Sequence, residues 1–258
     1  MNIEEIKKFK NNGNITWTMT THSYKLYTLN LITSIKRSGT RGPVCIICCD
    51  EESFLFFRRE SIPCISWTSL DKGQKVVAAF GTEQFKKWNK IKLEILMWFC
   101  HNAIALDIQY SLYLDGDIIV RLDPLTNLLT QLQENVHLYF QCDCAHSREH
   151  ISLNEKCSVI CSGVIFTRHV SPDQARLYDF NEFLWNQSSC QDQPYIQSRL
   201  QETNTPFLTL PRIQYGNGHW QKAGLWRSNT WVLLHYNYRI ADTKKKAMKK
   251  YGHWLIPY

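Results

Sequence analysis

The run Val44-Cys-Ile-Ile-Cys-Cys49 constrains this chain more than any other segment. Successive side chains of a strand point to opposite faces, so a strand apolar at every position must be covered on both. Such runs belong to parallel sheets sandwiched between helices, whereas a half-solvated antiparallel strand alternates apolar with polar residues. The flanking segments supply the cover. Residues 24–36 place Leu26, Leu29, Ile32 and Ile35 roughly along one helical face, and Gly39 and Gly42-Pro43 end that helix. Residues 15–20 read as a strand before it, residues 54–59 as the start of a second helix, and residues 62–67 as a third strand. This alternation predicts parallel strands joined by helical crossovers.

Further along, residues 68–81 are mixed and read as loop. Residues 84–105 are helical in pattern, with Trp88, Ile91, Leu93, Ile95, Leu96 and Trp98 to bury. Strands are expected at 110–114, 136–140, 159–167, 206–210 and 231–234. Ser171-Pro172-Asp173 signals a helix start, with proline at the first helical position, and a lysine-rich helix ends the chain. With no internal repeat and no low-complexity linker, residues 1–258 read as one α/β domain.

Composition narrows the function. A hydrophobic content of 44% with 21% charged residues is that of a globular protein with a sizeable core. The net charge of +7 suits an anionic ligand and equally a weakly basic surface. No basic stripe with interleaved aromatics promotes nucleic acid as a partner. No signal peptide or membrane-spanning stretch is visible, so the expected location is cytoplasmic. There the ten cysteines should be free thiols or ligands rather than disulfides, and the sequons at Asn14 and Asn186 carry no weight.

The chemistry concentrates where the strand Tyr110-Ser-Leu-Tyr-Leu114 runs into Asp115-Gly116-Asp117. Two aspartates one residue apart at a strand's carboxyl end project past the sheet edge, where open α/β sheets bind ligands. Mg²⁺ or Mn²⁺ takes oxygen ligands and commonly bridges to substrate phosphates. Gly116 permits a tight turn and the close approach of a phosphate. On spacing alone the pair is equally a solvated turn.

In context, Tyr113-Leu-Asp-Gly-Asp-Ile-Ile-Val-Arg-Leu-Asp-Pro124 resembles the metal-binding segment of nucleotide-diphospho-sugar transferases. These are GT-A glycosyltransferases that include plant xylosyl- and arabinosyltransferases and, more distantly, glycogenin-like enzymes. Further motifs follow in the family's order. Thr20-Thr21-His22-Ser23-Tyr24 with Asn30 is similar to the nucleotide-holding turn. Cys161-Ser162-Gly163-Val164-Ile165-Phe166 is similar to the Asn-(Ser/Thr)-Gly-Phe strand, with cysteine in place of asparagine. Asp192-Gln193 matches an Asp-Gln pair near the donor sugar. His235-Tyr-Asn237, the lysines that follow and Gly252-His-Trp254 resemble the closing segment, with Ala241 and Asp242 where a glycine is usual.

The resemblance implies a GT-A fold: a Rossmann-like, mostly parallel central sheet flanked by helices. Its nucleotide-binding part would span about 14–124, and its acceptor and donor-sugar part about 125–258. It also implies a metal-dependent hexosyl- or pentosyltransferase. Such an enzyme moves a sugar from a nucleotide-diphosphate donor, uridine-linked and with retention, to a hydroxyl of a glycan or glycoside.

Asp115, Asp117 and His235 would hold Mn²⁺ or Mg²⁺. Thr20, Thr21, Tyr24, Asp50, Lys92, Gly116, Asn237, Lys244 and Lys245 would contact the nucleotide or its diphosphate. Asp192 and Gln193 would serve the chemistry, Asp192 as general base if the enzyme inverts. Ser162, Gly163, Trp220 and Trp226 would serve donor sugar or acceptor. Each has a plainer reading: a core histidine for His235, a surface lysine for Lys92, a solvated helix face for the late lysines, a helix N-terminal acid for Asp192.

Three other readings stand beside this one. The same acidic pair fits a metal-dependent nucleotidyltransferase or nuclease, with Asp107 or Asp123 holding a second ion. A non-catalytic carbohydrate-binding module on the same fold fits as well. Cys142, Cys144, His146, His150, Cys157 and Cys161 offer enough ligands for a structural zinc, at spacings unlike the usual pairs.

Overall fold

The computed structural model describes residues 1–71, 81–144, 159–219, 227, 230–239 and 241–258. A seven-stranded sheet runs β3-β2-β1-β4-β7-β6-β8. Its strands are β1 (Asn14–Thr20), β2 (Val44–Asp50), β3 (Cys64–Asp71), β4 (Tyr110–Leu114), β6 (Leu138–Cys142), β7 (Ile160–Arg168) and β8 (Leu208–Thr209). The pairs β2·β3, β1·β2, β1·β4 and β6·β8 are parallel, while β7 lies antiparallel between β4 and β6.

Every residue from Cys45 to Cys49 is 0% exposed, as an apolar run covered on both faces requires. Cys45, Ile47 and Cys49 pack toward Ile91, Ile95 and Phe99 of the long helix α4 (Glu83–Leu106). Ile46 and Cys48 pack on the other face with Leu29 and Ile32 of α2 (Lys25–Arg37) and Phe57 of α3 (Glu51–Arg59). Helix α3 begins three residues before the sequence-expected start. The Asp50 side chain caps it by accepting from Ser53 N at 2.8 Å. Strand β3 likewise continues through Asp71, into the stretch expected to be loop.

A second, three-stranded sheet of order β5-β10-β9 was not foreseen. Strand β5 (Ile118–Val120) follows the acidic pair directly and pairs antiparallel with β10 (Leu233–His235), setting His235 opposite Ile118. Strand β9 (Tyr215–Gly216) pairs parallel with β10. So His235 reaches Asp117 through a small sheet hung on the acidic turn, not through the end of a main-sheet strand. Among the described residues the other helices include α1 (Ile3–Lys7), α5 (Pro124–Leu129), α6 (Glu182–Gln187), α7 (Asp192–Glu202) and α8 (Ala241–Lys250), with a 3₁₀ helix at Pro172–Leu177. Ser171 and Gln174 form a reciprocal capping box at that 3₁₀ start.

Among the described residues, eight cysteines are free thiols and Cys144 is disulfide-bonded, which corrects the expectation of thiols or ligands only. It also removes one thiolate from the zinc set. Cys142 and Cys161 are buried, and His146, His150 and Cys157 lie outside the described residues. No described helix is long and apolar enough to cross a membrane.

Candidate active site

Strand β4 ends at Leu114 and hands the chain to Asp115, whose N–H donates to Gly163 O at 2.8 Å. That bond depends on an irregularity in β7. The register against β6 jumps from Phe140↔Ile165 to Gln141↔Cys161, so Ser162, Gly163 and Val164 bulge toward the acidic turn. Two glycines are required there by space. A Cβ on Gly116 would lie 2.6 Å from Thr28 Oγ1, and one on Gly163 would lie 2.1 Å from His235 Cε1 and 2.9 Å from Asp115 Oδ2.

Asp115, Asp117 and His235 converge. One potential ligand atom from each lies within 4.8 Å of the other two. His235 Nε2 stands 3.2 Å from Asp117 Oδ1 and 3.6 Å from Asp115 Oδ2. Asp117 and His235 are buried at 4% and 3% exposure, too dry for the solvated-turn reading. Among the described residues this is the one His/Cys/Asp/Glu group disposed to hold a metal ion.

Two buried lysines complete the charge pattern. Lys92 Nζ of α4 donates to Ser162 O at 2.7 Å and pairs with Asp115 at 3.3 Å and Asp192 at 2.8 Å. It is 5% exposed, so it is not a surface lysine. Burial works against its charge, but the two carboxylates outweigh that and raise its pKa above the ordinary lysine value. Tyr113 Oη donates to Asp115 beneath it.

Lys244 Nζ of α8 pairs with Asp117 and donates to Tyr24 Oη at 3.3 Å. Burial disfavours its ammonium, and Asp117 more than offsets this. Burial likewise opposes ionisation of Asp117, yet Lys244 and His235 hold its carboxyl well below the usual range. Burial opposes a charged His235, and Asp117 drives its pKa well above the ordinary value. Three carboxylates thus face two ammonium groups, and the imidazolium of His235 balances the set.

The other expected residues divide. Thr20 Oγ1 accepts from Thr28 Oγ1 at 3.0 Å at the β1–α2 turn, and Thr21 Oγ1 meets Ser23 Oγ at 3.2 Å. Tyr24 borders Lys244, its ring 37% exposed. Asp50 uses both oxygens on backbone: besides capping α3, it accepts from His22 N at 2.6 Å. It therefore organises the turn. Lys245 lies over the Trp254 ring, 4.7 Å from its centroid, rather than beside Lys244. Ser162 is buried. Trp220 and Trp226 lie outside the described residues.

Two residues escaped sequence reasoning. Asp143 accepts from Gln193 Nε2 at 2.9 Å and from Asn237 Nδ2 at 3.2 Å, joining the Asp-Gln pair to the closing segment. Asn237 Oδ1 also accepts from Gly218 N. The available signal was position, since Asp143 directly follows a strand just as Asp115 does, but the neighbouring cysteines drew the reading toward zinc. Gln141 contacts His235 Nδ1 through Oε1 at 2.9 Å, and nothing in the sequence flagged it.

Solved structures share this architecture. Mouse xyloside xylosyltransferase 1 superposes with a TM-score of 0.52 at 12% identity, covering 87% of this chain and 98% of its own. A glycosyltransferase involved in glycosylation of the major capsid of PBCV-1 gives 0.51 at 12% identity, covering 90% and 98%. The galactosyltransferase LgtC, solved with donor and acceptor sugar analogs, gives 0.55 at 13% identity, covering 94% and 96%. At such identities the likeness establishes the GT-A fold alone. No curated protein sequence matches the chain. The sequence itself carries the family signature, for a profile of the nucleotide-diphospho-sugar transferases matches residues 42–249, and this chain belongs to that family.

Proposed function

We propose that this protein transfers a sugar from a nucleotide-diphosphate donor, uridine-linked, to a hydroxyl of a glycan or glycoside acceptor. It does so as a single unit, 1–258, with Mn²⁺ or Mg²⁺ held by Asp115, Asp117 and His235. The observation that carries this reading is the convergence of those three side chains between two buried lysines.

Two carboxylates and an imidazole suit a divalent ion of this kind. When bound, the ion offsets charge on the departing diphosphate. Lys244, already at the site on α8, is placed to add a second positive charge there. Thr20, Thr21 and Tyr24 line the turn proposed for the nucleoside.

Lys92 supports retention. Its ammonium pairs with Asp192, so that carboxylate orients hydroxyls of the donor sugar rather than standing free as a base. Gln193, whose nitrogen is engaged by Asp143, would serve the reacting carbon through its oxygen. The rival two-metal reading lacks support, because Asp107 pairs with Lys10 at 2.7 Å and Asp123 caps α5.

Donor hydrolysis across a panel of sugar nucleotides with Mn²⁺ is the test. Asp117→Ala should lower turnover by about 10²-fold or more. Unchanged turnover would refute the metal assignment.

A further inference from the structure

We propose that Gln141 is a positioning residue that fixes which nitrogen of His235 faces the acidic pair. The inference rests on the metal-site reading above and extends it to a residue outside the ligand set.

Gln141 is 0% exposed. Two of the groups around its side chain have a fixed hydrogen-bonding role. The amide nitrogen donates to two backbone carbonyls, Tyr215 O at 3.2 Å and Gly216 O at 2.9 Å. Carbonyls only accept, so the nitrogen must face them, and both of its hydrogens are used. The amide oxygen is thereby turned toward His235 Nδ1, 2.9 Å away, and an amide oxygen can only accept. Nδ1 therefore carries hydrogen. In a neutral ring Nε2 is then the bare nitrogen, and Nε2 is the atom 3.2 Å from Asp117 and 3.6 Å from Asp115. Cys161 Sγ, at 3.5 Å, is a second and weaker partner at Nδ1.

The carbonyls that orient Gln141 belong to β9, the strand that pairs with the His235 strand. The chain that carries the ligand and the chain that orients its tautomer are thus one small sheet. Partners of this kind fix ring orientation and raise ligand basicity.

The test is Mn²⁺ affinity, measured by electron paramagnetic resonance without donor, for wild type and Gln141→Leu, together with nitrogen-15 spectra of the Mg²⁺-loaded wild type. Gln141→Leu removes the acceptor and should weaken binding about 10–100-fold. Wild-type affinity in a folded Gln141→Leu overturns the assignment. If Gln141→Leu does not fold, nitrogen-15 spectra of the Mg²⁺-loaded wild type decide: hydrogen on Nδ1 supports the assignment and hydrogen on Nε2 alone overturns it. A wild type that binds no Mn²⁺ defeats the metal reading itself, and the Gln141 assignment with it.

Discussion

The two sides of the acidic site are built on different scaffolding. Asp115 directly follows a central strand of the seven-stranded sheet, and Lys92 stands on a 24-residue helix. His235 and Lys244 stand on a three-residue strand and a ten-residue helix. The first side is held by dry packing: Trp17, 0% exposed, lies between Phe99 at 4.8 Å and Tyr113 at 4.5 Å between ring centroids. The second is packed as well, Leu233 of β10 clustering with Leu112 and Leu114 and Met248 of α8 with Ile119 and Tyr236. It also meets the first through Asp117, whose carboxylate meets His235 and Lys244 and whose carbonyl accepts from Tyr236 N at 3.1 Å. On one side apolar burial holds the charges in place. On the other, apolar burial and the charge pairs on Asp117 act together.

That contrast can be broken by mutation. The largest expected effect is on the packed side: Trp17→Ala should cost about 3–5 kcal/mol of stability, read as a fall in Tm. Below that Tm, Mn²⁺ affinity should be unaltered, and a parallel loss of affinity would erase the distinction.

A smaller, two-signed effect is expected at the charge pairs. Lys244→Met should weaken nucleoside diphosphate binding by about 1.5–3 kcal/mol, the worth of hydrogen bonds to a charged group. It should at the same time tighten Mn²⁺ binding measured alone, because the ammonium no longer competes for Asp117. Calorimetry of each ligand reads both, and two changes of the same sign would mean that Lys244 does not compete with the ion.

The smallest effect sharpens the electrostatic side. His235 has a raised pKa in the fold, so its pairing stabilises at low pH and fades as pH climbs through the raised value. Asp117 is depressed, so its contribution is present above the ordinary carboxylate pKa and is lost as pH falls through the lowered one. The pair therefore stabilises the metal-free protein between those limits. A divalent ion replaces the proton on His235, so Mn²⁺ uptake near neutrality should release about one proton and weaken toward acid. Titration calorimetry in buffers of different ionisation enthalpy measures this. Proton uptake would contradict it.

Much of the packed side was legible because its signals are local. The continuous run at Val44–Asp50 demands cover on both faces, and residues of α2 and α4 carry the helical period that provides it. The acidic pair and the late histidine could be named from order and type. The small sheet could not, because two- and three-residue strands have no period to detect, and β5 reads as a mere apolar tail to the motif. Lys92 offered no sign of burial either. Its environment is made by Asp115, Asp192 and Ser162, which reach it from three other parts of the chain.

The sequence by itself determined the parallel core, the acidic turn at the end of β4 and the kinds of side chain available to hold a cation, since periodicity and residue chemistry are properties of neighbours along the chain. Packing in three dimensions set the rest: Asp143 joins Gln193 to Asn237, Lys244 rather than Lys245 meets Asp117, and Gln141 contacts the His235 ring. Those outcomes depend on distances of a few ångströms between segments far apart in sequence. Such distances are set by how strands register and helices pack, not by any local preference of the residues involved.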